Sequence, residues 1–96
     1  MDEQTKDGVI HEQRNFNPST IIRFYLLHEG RVSLVITNVN GQKLVTLVDT
    51  EKRAGYHEIE WNGGDLPSGV YFYRISVTSH DSKTHFTDVK KMILIK

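Results

Sequence analysis

Apolar and polar residues alternate with a period of two along most of this chain. The alternation is clearest over residues 71–77, where every second position is held by Tyr71, Tyr73, Ile75 and Val77. In a β-strand this spacing places the four side chains on one face. We therefore predict a core strand here. It is entered through a turn at residues 67–69, because Pro fixes φ and Gly tolerates backbone angles that other residues avoid.

The same period predicts further strands, separated by short turns. Their positions on one face are Ile22, Phe24 and Leu26, then Val32, Leu34 and Ile36, and then His57, Ile59 and Trp61. Turn sequences occupy residues 17–20, 28–30, 38–41 and 62–65, since Asn and Gly tolerate positive φ and Pro interrupts regular structure. The turn at 38–41 predicts a hairpin whose second strand runs over residues 42–48, and residues 49–54 are expected to form a charged loop.

The C-terminal segment is compatible with two registers. Residues 84–96 predict one long strand, or two strands separated by a bulge, after a polar hairpin tip at residues 79–83. The inward positions are either Phe86, Met92 and Leu94 or Val89, Ile93 and Ile95. The pattern alone does not choose between the two sets.

Six or seven short strands with short connections, and no segment with a helical period, predict an all-β protein. The expected fold is an immunoglobulin-like antiparallel β-sandwich of about seven strands. Tyr71 follows Gly69 at the entry to the core strand, as in the tyrosine corner of such domains, so its hydroxyl is expected to bond nearby backbone. Residues 1–16 are mostly polar and predict a linker or flexible N-terminal arm, with Val9 and Ile10 as a short edge pairing. Residues 17–96 form the domain.

Composition restricts the partners and the kinds of site that can be expected for this chain. The chain has 96 residues, enough for one domain that buries about 60 to 65% of its unfolded surface. Twelve Lys and Arg balance twelve Asp and Glu, so no long-range field favours nucleic acid or an anionic membrane. The absence of cysteine excludes disulfides, thiol catalysis and Cys-based zinc sites. No apolar run approaches the roughly 20 residues of a membrane helix, so membrane insertion is not expected. No signal peptide follows Met1, which predicts either a cytoplasmic protein or a domain cut from a longer precursor.

The residues that could carry chemistry do not form a recognised motif. Histidines occur at His11, His28, His57, His80 and His85 without metal-ligand spacing, and His57 is expected to pack beside Trp61. Oxygen ligands for calcium could come from Asp49, Glu51, Asn62 and Asp65, although turn geometry also explains the last two. No nucleophile elbow or Gly-rich phosphate loop is present, so we expect no enzyme, no catalytic residue and no cofactor. An exposed aromatic platform for sugars could use Tyr25, Tyr56, Trp61, Phe72 and Tyr73, but Trp61 and Tyr73 alternate with aliphatic residues and are expected in the core.

Several sequence blocks, in order, resemble one family. They are Asn-Pro-Ser-Thr-Ile-Ile at 17–22, Arg-Val-Ser-Leu at 31–34, Asn-Gly-Gln-Lys-Leu-Val-Thr-Leu-Val at 40–48, Ala-Gly-Tyr-His at 54–57, Trp-Asn-Gly at 61–63, Leu-Pro-Ser-Gly-Val-Tyr-Phe-Tyr-Arg at 66–74 and Lys-Met-Ile-Leu-Ile-Lys at 91–96. Over residues 15–96 the chain resembles the C-terminal sorting domain of type IX secretion cargo proteins, also called the Por secretion tail. That family is akin to the immunoglobulin-like domain of flagellar hook-capping proteins.

The resemblance implies a non-enzymatic sorting signal at the end of a larger secreted protein of a Gram-negative bacterium. Its expected partners are outer-membrane secretion proteins and an N-terminal cargo domain, and its destination is secreted or at the cell surface. The family's characteristic blocks include Gly41, Trp61, Gly69 and Tyr71 as architectural residues. The expected recognition residues are Lys90, Lys91, Met92, Ile93, Leu94, Ile95 and Lys96, although edge lysines also serve to prevent aggregation. Two alternatives stay open: an accessory module of a secreted enzyme that binds polysaccharide or calcium, and a hook-cap-like assembly domain.

Overall fold

Two facing β-sheets make up the computed structural model, which describes residues 8–9, 15–79 and 85–95. The strands are β1 (Gly8–Val9), β2 (Asn15–Phe16), β3 (Ser19–Leu26), β4 (Gly30–Thr37), β5 (Lys43–Lys52), β6 (Gly55–Asn62), β7 (Gly69–Ser79) and β8 (His85–Leu94). One sheet has the order β1-β3-β6 and the other β2-β8-β7-β4-β5. The four strands β5-β4-β7-β8 repeat the C′-C-F-G order of immunoglobulin domains. The expected immunoglobulin-like sandwich is therefore confirmed, with six long strands and two of two residues in the described part of the chain.

The core lies between the two sheets and uses one face of each strand. Its buried members include Ile22, Phe24 and Leu26 of β3, Val32, Leu34 and Ile36 of β4, Tyr71, Tyr73, Ile75 and Val77 of β7, and Met92 and Leu94 of β8. These are the positions that the period of two predicts. In β8, Met92 and Leu94 are 0% and 1% exposed while Val89 and Ile95 are 52% and 46% exposed, which selects the first of the two registers.

Trp61 and Tyr73 belong to this core, as the sequence predicts. Trp61 is 6% exposed and Tyr73 is fully buried. Burial raises the pKa of the Tyr73 phenol above its ordinary value, and the carboxylate of Asp88 adds to the effect. The fold therefore favours the neutral phenol. This contribution to stability is complete below the ordinary phenol pKa of about 10 and is lost as the pH rises through the folded-state pKa.

His57 packs against a different ring from the one expected. Its imidazole stacks on Phe24, its partner across β3 and β6, with ring centroids 5.2 Å apart. The expectation that it lies beside Trp61 is wrong, because residues four apart on one strand are separated by about 13 Å. The ring nitrogen Nε2 lies 2.7 Å from the carbonyl oxygen of Arg53.

The β4–β5 hairpin turns through a short loop that one asparagine organises. The Gly41 amide donates to the carbonyl oxygen of Asn38 at 3.0 Å, and the Asn38 side-chain oxygen accepts from the amides of Asn40 and Gln42. Gly41 has φ of 82°, a left-handed conformation that glycine adopts without steric cost. A type I turn followed by such a residue is a common three-residue hairpin. The turn predicted from residues 38–41 is confirmed.

The strand after this turn is longer than the sequence predicts. β5 runs to Lys52, so the charged loop expected over residues 49–54 is mostly strand. Residues 49–52 pair with residues 30–33 of β4, and Arg31 donates to the Asp49 carboxylate at 2.9 Å. β5 is the edge of its sheet and exposes these charged side chains to water, so apolar alternation is not required there.

Gly30 also belongs to a strand rather than to a connection. It begins β4 and pairs with both Lys52 and Ser79. A Cβ atom on Gly30 would collide with the backbone carbonyl oxygen of Thr78, so only glycine fits this close approach.

Two short strands lie within the segment predicted to be a linker. Gly8–Val9 pairs antiparallel with Phe24 and Tyr25 of β3, and Asn15–Phe16 pairs parallel with Ile93 and Leu94 of β8. The pairing expected at Val9 is thus present, whereas Ile10 lies outside the described residues. Hydrogen bonding to both sheets therefore begins before residue 17.

The corner between β6 and β7 contains the predicted tyrosine hydrogen bond. The Tyr71 hydroxyl donates to the carbonyl oxygen of Pro67 at 2.6 Å. The turn before it is closed by the Leu66 amide, which donates to the Gly63 carbonyl oxygen at 2.9 Å. Gly69, expected to permit the turn, follows it as the first residue of β7 and has a positive φ of 159°, which residues with a side chain rarely adopt.

We predict that Tyr71→Phe destabilises the domain by about 1 kcal/mol, because the ring stays in place while the Pro67 carbonyl loses its partner. Urea unfolding followed by circular dichroism measures this. Tyr25→Phe is the matched control, since no described group bonds that hydroxyl, and should change the midpoint little. Equal midpoints for the two variants would show that the corner hydrogen bond contributes nothing.

Candidate functional site

The segment expected to carry recognition is divided between the core and the surface. Met92 and Leu94 point into the sandwich opposite Tyr71 and Gly69 of β7 and are buried. A partner cannot contact these two side chains while the domain is folded. They act on recognition only by holding β8 in place. Lys96 lies outside the described residues.

The outward residues of this segment are Lys91, Ile93 and Ile95. Lys91 is exposed and pairs with Phe72, while Ile93 is partly buried and pairs with Val70. Ile95 follows the strand and is 46% exposed. Lys91 and Ile93 share the outer face of the five-stranded sheet, so they form a surface that exists only when β7 and β8 are paired.

Lys90 points to the opposite side from Lys91. It pairs with Tyr73, whose side chain lies in the core, and its Nζ atom is 3.9 Å from an Asp88 carboxylate oxygen. Both side chains are partly exposed, so this ion pair contributes little to stability. The two adjacent lysines therefore do not form one basic patch.

A shallow depression lies beside the outward residues of β8. It has a volume of about 240 Å³ and is lined by Thr37, Asn38, Val39, Gly41, Phe72, Arg74 and Val89. We call it the outer depression. Val39 is 65% exposed and Val89 is 52% exposed, so its walls are partly apolar and accessible to water. The sequence predicts other roles for Gly41, Phe72 and Val89 and does not link the lining residues, because the depression forms where the β4–β5 turn meets β7 and β8.

The outer face of the three-stranded sheet carries a second group of polar and aromatic side chains. Tyr25 and Tyr56 are direct partners across β3 and β6, and so are Arg23 and Glu58. The Tyr56 hydroxyl donates to Glu58 Oε2 at 2.6 Å, and Arg23 Nε donates to the same oxygen at 3.3 Å. The hydrogen bond between Tyr56 and Glu58 is the main reason that the pKa of Tyr56 is raised. It is also the main reason that the pKa of Glu58 is lowered. At neutral pH the phenol is neutral and the carboxylate is charged.

The aromatic residues proposed for a sugar platform separate into two groups. Trp61 and Tyr73 are buried, whereas Tyr56 is 49% exposed and Tyr25 and Phe72 are partly buried. Phe72 lies on the five-stranded sheet, while Tyr25 and Tyr56 lie side by side on the three-stranded one. The structure therefore brings together only two of the five.

The oxygen atoms named for calcium are distributed over two places. Asp49 and Glu51 lie on β5, while Asn62 and Asp65 lie at the β6–β7 connection. The Asn62 side-chain oxygen accepts from the Gly64 amide at 2.7 Å, which is the turn role expected for it. Across residues 8–9, 15–79 and 85–95, no three His, Cys, Asp or Glu side chains converge in a way that could hold a metal ion. His11 and His80 lie outside the described residues.

We predict that Glu58→Gln lowers the pKa of Tyr56 towards its ordinary value, because an amide oxygen lacks the charge that opposes ionisation of the phenol. An alkaline titration followed by NMR of the tyrosine ring signals measures this. Glu60→Gln is the control, since Glu60 faces Ile21 rather than Tyr56, and should leave the titration unchanged. An unchanged Tyr56 pKa in Glu58→Gln would contradict the assigned hydrogen bond.

Comparisons with known proteins reveal the fold and not the family. No protein-family model matches the chain, and no curated protein matches it. Among solved structures, the chain is similar to CopC from Methylosinus trichosporium OB3b, with a TM-score of 0.56 and 14% sequence identity over 85% of this chain and 82% of that one. In the described residues, no helix is long and apolar enough to cross a bilayer. At this identity the likeness shows a shared β-sandwich fold and nothing more.

Proposed function

We propose that this chain is a non-enzymatic C-terminal sorting domain. It directs a larger secreted protein through the type IX secretion system of the outer membrane and to the cell surface. The sequence blocks that resemble this family support the proposal, because they occur in the family's order over residues 15–96. Secretion proteins of the outer membrane are the proposed partners, and an N-terminal cargo domain is the proposed passenger.

The observation that carries the proposal is the position of the last block. Residues 91–94 form the end of β8, beside β7 and next to the short strand β2. Alternate residues of the block are buried, and the others are presented on the outer face of a sheet. A sorting signal at the end of a chain needs a surface that other proteins can reach, and Lys91, Ile93 and Ile95 supply one.

We predict that deleting residues 91–96 from a full-length cargo protein leaves most of it in the periplasm. This deletion also removes Met92 and Leu94 from the core, so it tests folding and recognition together. A second variant therefore changes only outward side chains, Lys91→Glu with Ile95→Ser, and should also retain the cargo. Cell fractionation and immunoblotting measure the distribution.

The control for this experiment is Arg53→Glu, which lies in the loop between β5 and β6 and should be exported normally. The stability of the outward double variant should change by no more than about 0.5 kcal/mol, as expected for surface substitutions. Export of the truncated cargo at the wild-type level would overturn the proposed function.

A second candidate function, polysaccharide binding, is favoured by the Tyr25–Tyr56 pair, in which Tyr56 is 49% exposed and Tyr25 is partly buried. Tyrosine rings side by side on the outer face of a sheet can stack on sugar rings, and the adjacent Arg23 and Glu58 could bond sugar hydroxyls. This function predicts that soluble glycans shift the NMR signals of β3 and β6, and that Tyr56→Ala abolishes the shifts. Phe72→Ala, on the other sheet, is the control. An unchanged spectrum across a panel of glycans would rule this candidate out.

A further inference from the structure

The outer depression is flanked by positive charges that no described acidic side chain neutralises. Phe72, which lines it, pairs with Lys91 on one side and Thr37 on the other, and Arg74, two residues along β7, also lines the depression. The described ion pairs involve other groups, namely Arg23 with Glu58, Arg31 with Asp49 and Lys90 with Asp88. Because the whole chain has no net charge, this positive region is a local feature rather than a consequence of composition.

The depression also exposes apolar surface that the fold does not need. Val39 and Val89 are among the most exposed large hydrophobic residues of the described chain, and both line it. An exposed apolar surface with a polar rim is typical of a protein–protein contact. A volume of about 240 Å³ is small for a drug-sized ligand but suits one aliphatic or aromatic side chain.

We propose that the outer depression docks an acidic segment of a partner protein, with one apolar side chain of that segment entering between Val39, Phe72 and Val89. Carboxylates on either side of this anchor pair with Arg74 and Lys91. The inference rests on the proposed function and deepens it, because it states which surface the secretion machinery contacts and what chemistry the contacting segment has. Val89, which lines the depression, lies on the same face of β8 as Lys91 and Ile93.

The small number of positive charges around the outer depression favours a protein segment over a lipid surface as its partner. Anionic membranes are recognised by clusters of about four to eight Lys and Arg side chains. Among the described residues, Arg74 lines the depression, and two lysines are register partners of lining residues: Lys91 of Phe72, and Lys43 of Thr37. Two or three cations around the partly apolar outer depression are instead suited to an acidic peptide with one apolar anchor. The charges orient the peptide, and burial of the anchor side chain supplies the affinity.

The first experiment titrates the 96-residue chain with a short peptide rich in Asp and Glu around one central Leu, followed by NMR. We expect salt-sensitive shifts at Phe72, Arg74, Val89 and Lys91. Arg74→Glu should weaken binding by about tenfold or more, since a like charge then faces the peptide. Arg53→Glu makes the same change in net charge at the opposite end of the sandwich and should leave the affinity unchanged.

Three further titrations test whether binding needs the negative charges, the apolar anchor and a peptide rather than a lipid surface. The same peptide with Asn and Gln in place of Asp and Glu should bind far more weakly, and so should the acidic peptide with Gly in place of Leu. Vesicles of neutral lipid with an added anionic phospholipid should not shift these signals. Shifts with the vesicles but not with the acidic peptide would overturn the inference in favour of a lipid surface, and an unshifted spectrum in both would overturn it outright.

Export of the full-length cargo separates this inference from the proposed function. If both hold, Arg74→Glu reduces export and Arg53→Glu does not. If Arg74→Glu is exported normally while the deletion of residues 91–96 is retained, the function stands and the docking surface lies elsewhere. If the deletion is exported normally as well, the proposed function fails, whatever the peptide binds.

Discussion

Contact between the inner faces of the two sheets stabilises every other feature of this domain. No disulfide is available, so packing of side chains such as Ile22, Leu34 and Tyr73 must offset the entropy of ordering the chain. Each such side chain contributes about 1.5 to 3 kcal/mol, whereas a whole domain is stable by only about 5 to 15 kcal/mol. Any function that depends on a surface of the sandwich therefore depends on this core being complete.

The strand β8 illustrates this dependence. Its alternation directs Met92 and Leu94 inwards and Lys91 and Ile93 outwards, so one short segment stabilises the fold and supplies the proposed recognition surface. A partner that reads the outward residues would recognise a folded sheet rather than a linear peptide. The outer depression extends this surface onto β7 and the β4–β5 turn, regions far away in sequence.

The sequence predicted those strands in which apolar and polar residues alternate. The inward residues of β3, β4, β6 and β7 alternate as predicted, because a half-buried strand imposes a period of two. The predicted end of β5 was wrong, because an edge strand with exposed charged side chains does not need alternating apolar residues. The register of β8 was open because both Met92 and Ile93 belong to sets that alternate, and only the position of the opposite sheet decides between them.

The candidate site was harder to predict than the fold. The C-terminal block predicted the location of β8 but not which of its side chains are accessible. Nothing in the spacing of Val39, Phe72 and Val89 links them, since a turn and two strands bring them together. His57 shows the same limit, because its contact with Phe24 depends on pairing across the sheet rather than on neighbours in sequence.

The parallel pairing of Asn15–Phe16 with Ile93–Leu94 brings a segment near the start of the described chain beside the last described strand. β8 is the last of the described strands in chain order, and it supplies Met92 and Leu94 to the core. A growing chain that does not yet include β8 leaves Tyr71 and its neighbours without their partner strand, so the complete core cannot assemble before β8 has been made. The sandwich therefore closes only after residues 85–94 have been synthesised, later than any other described strand.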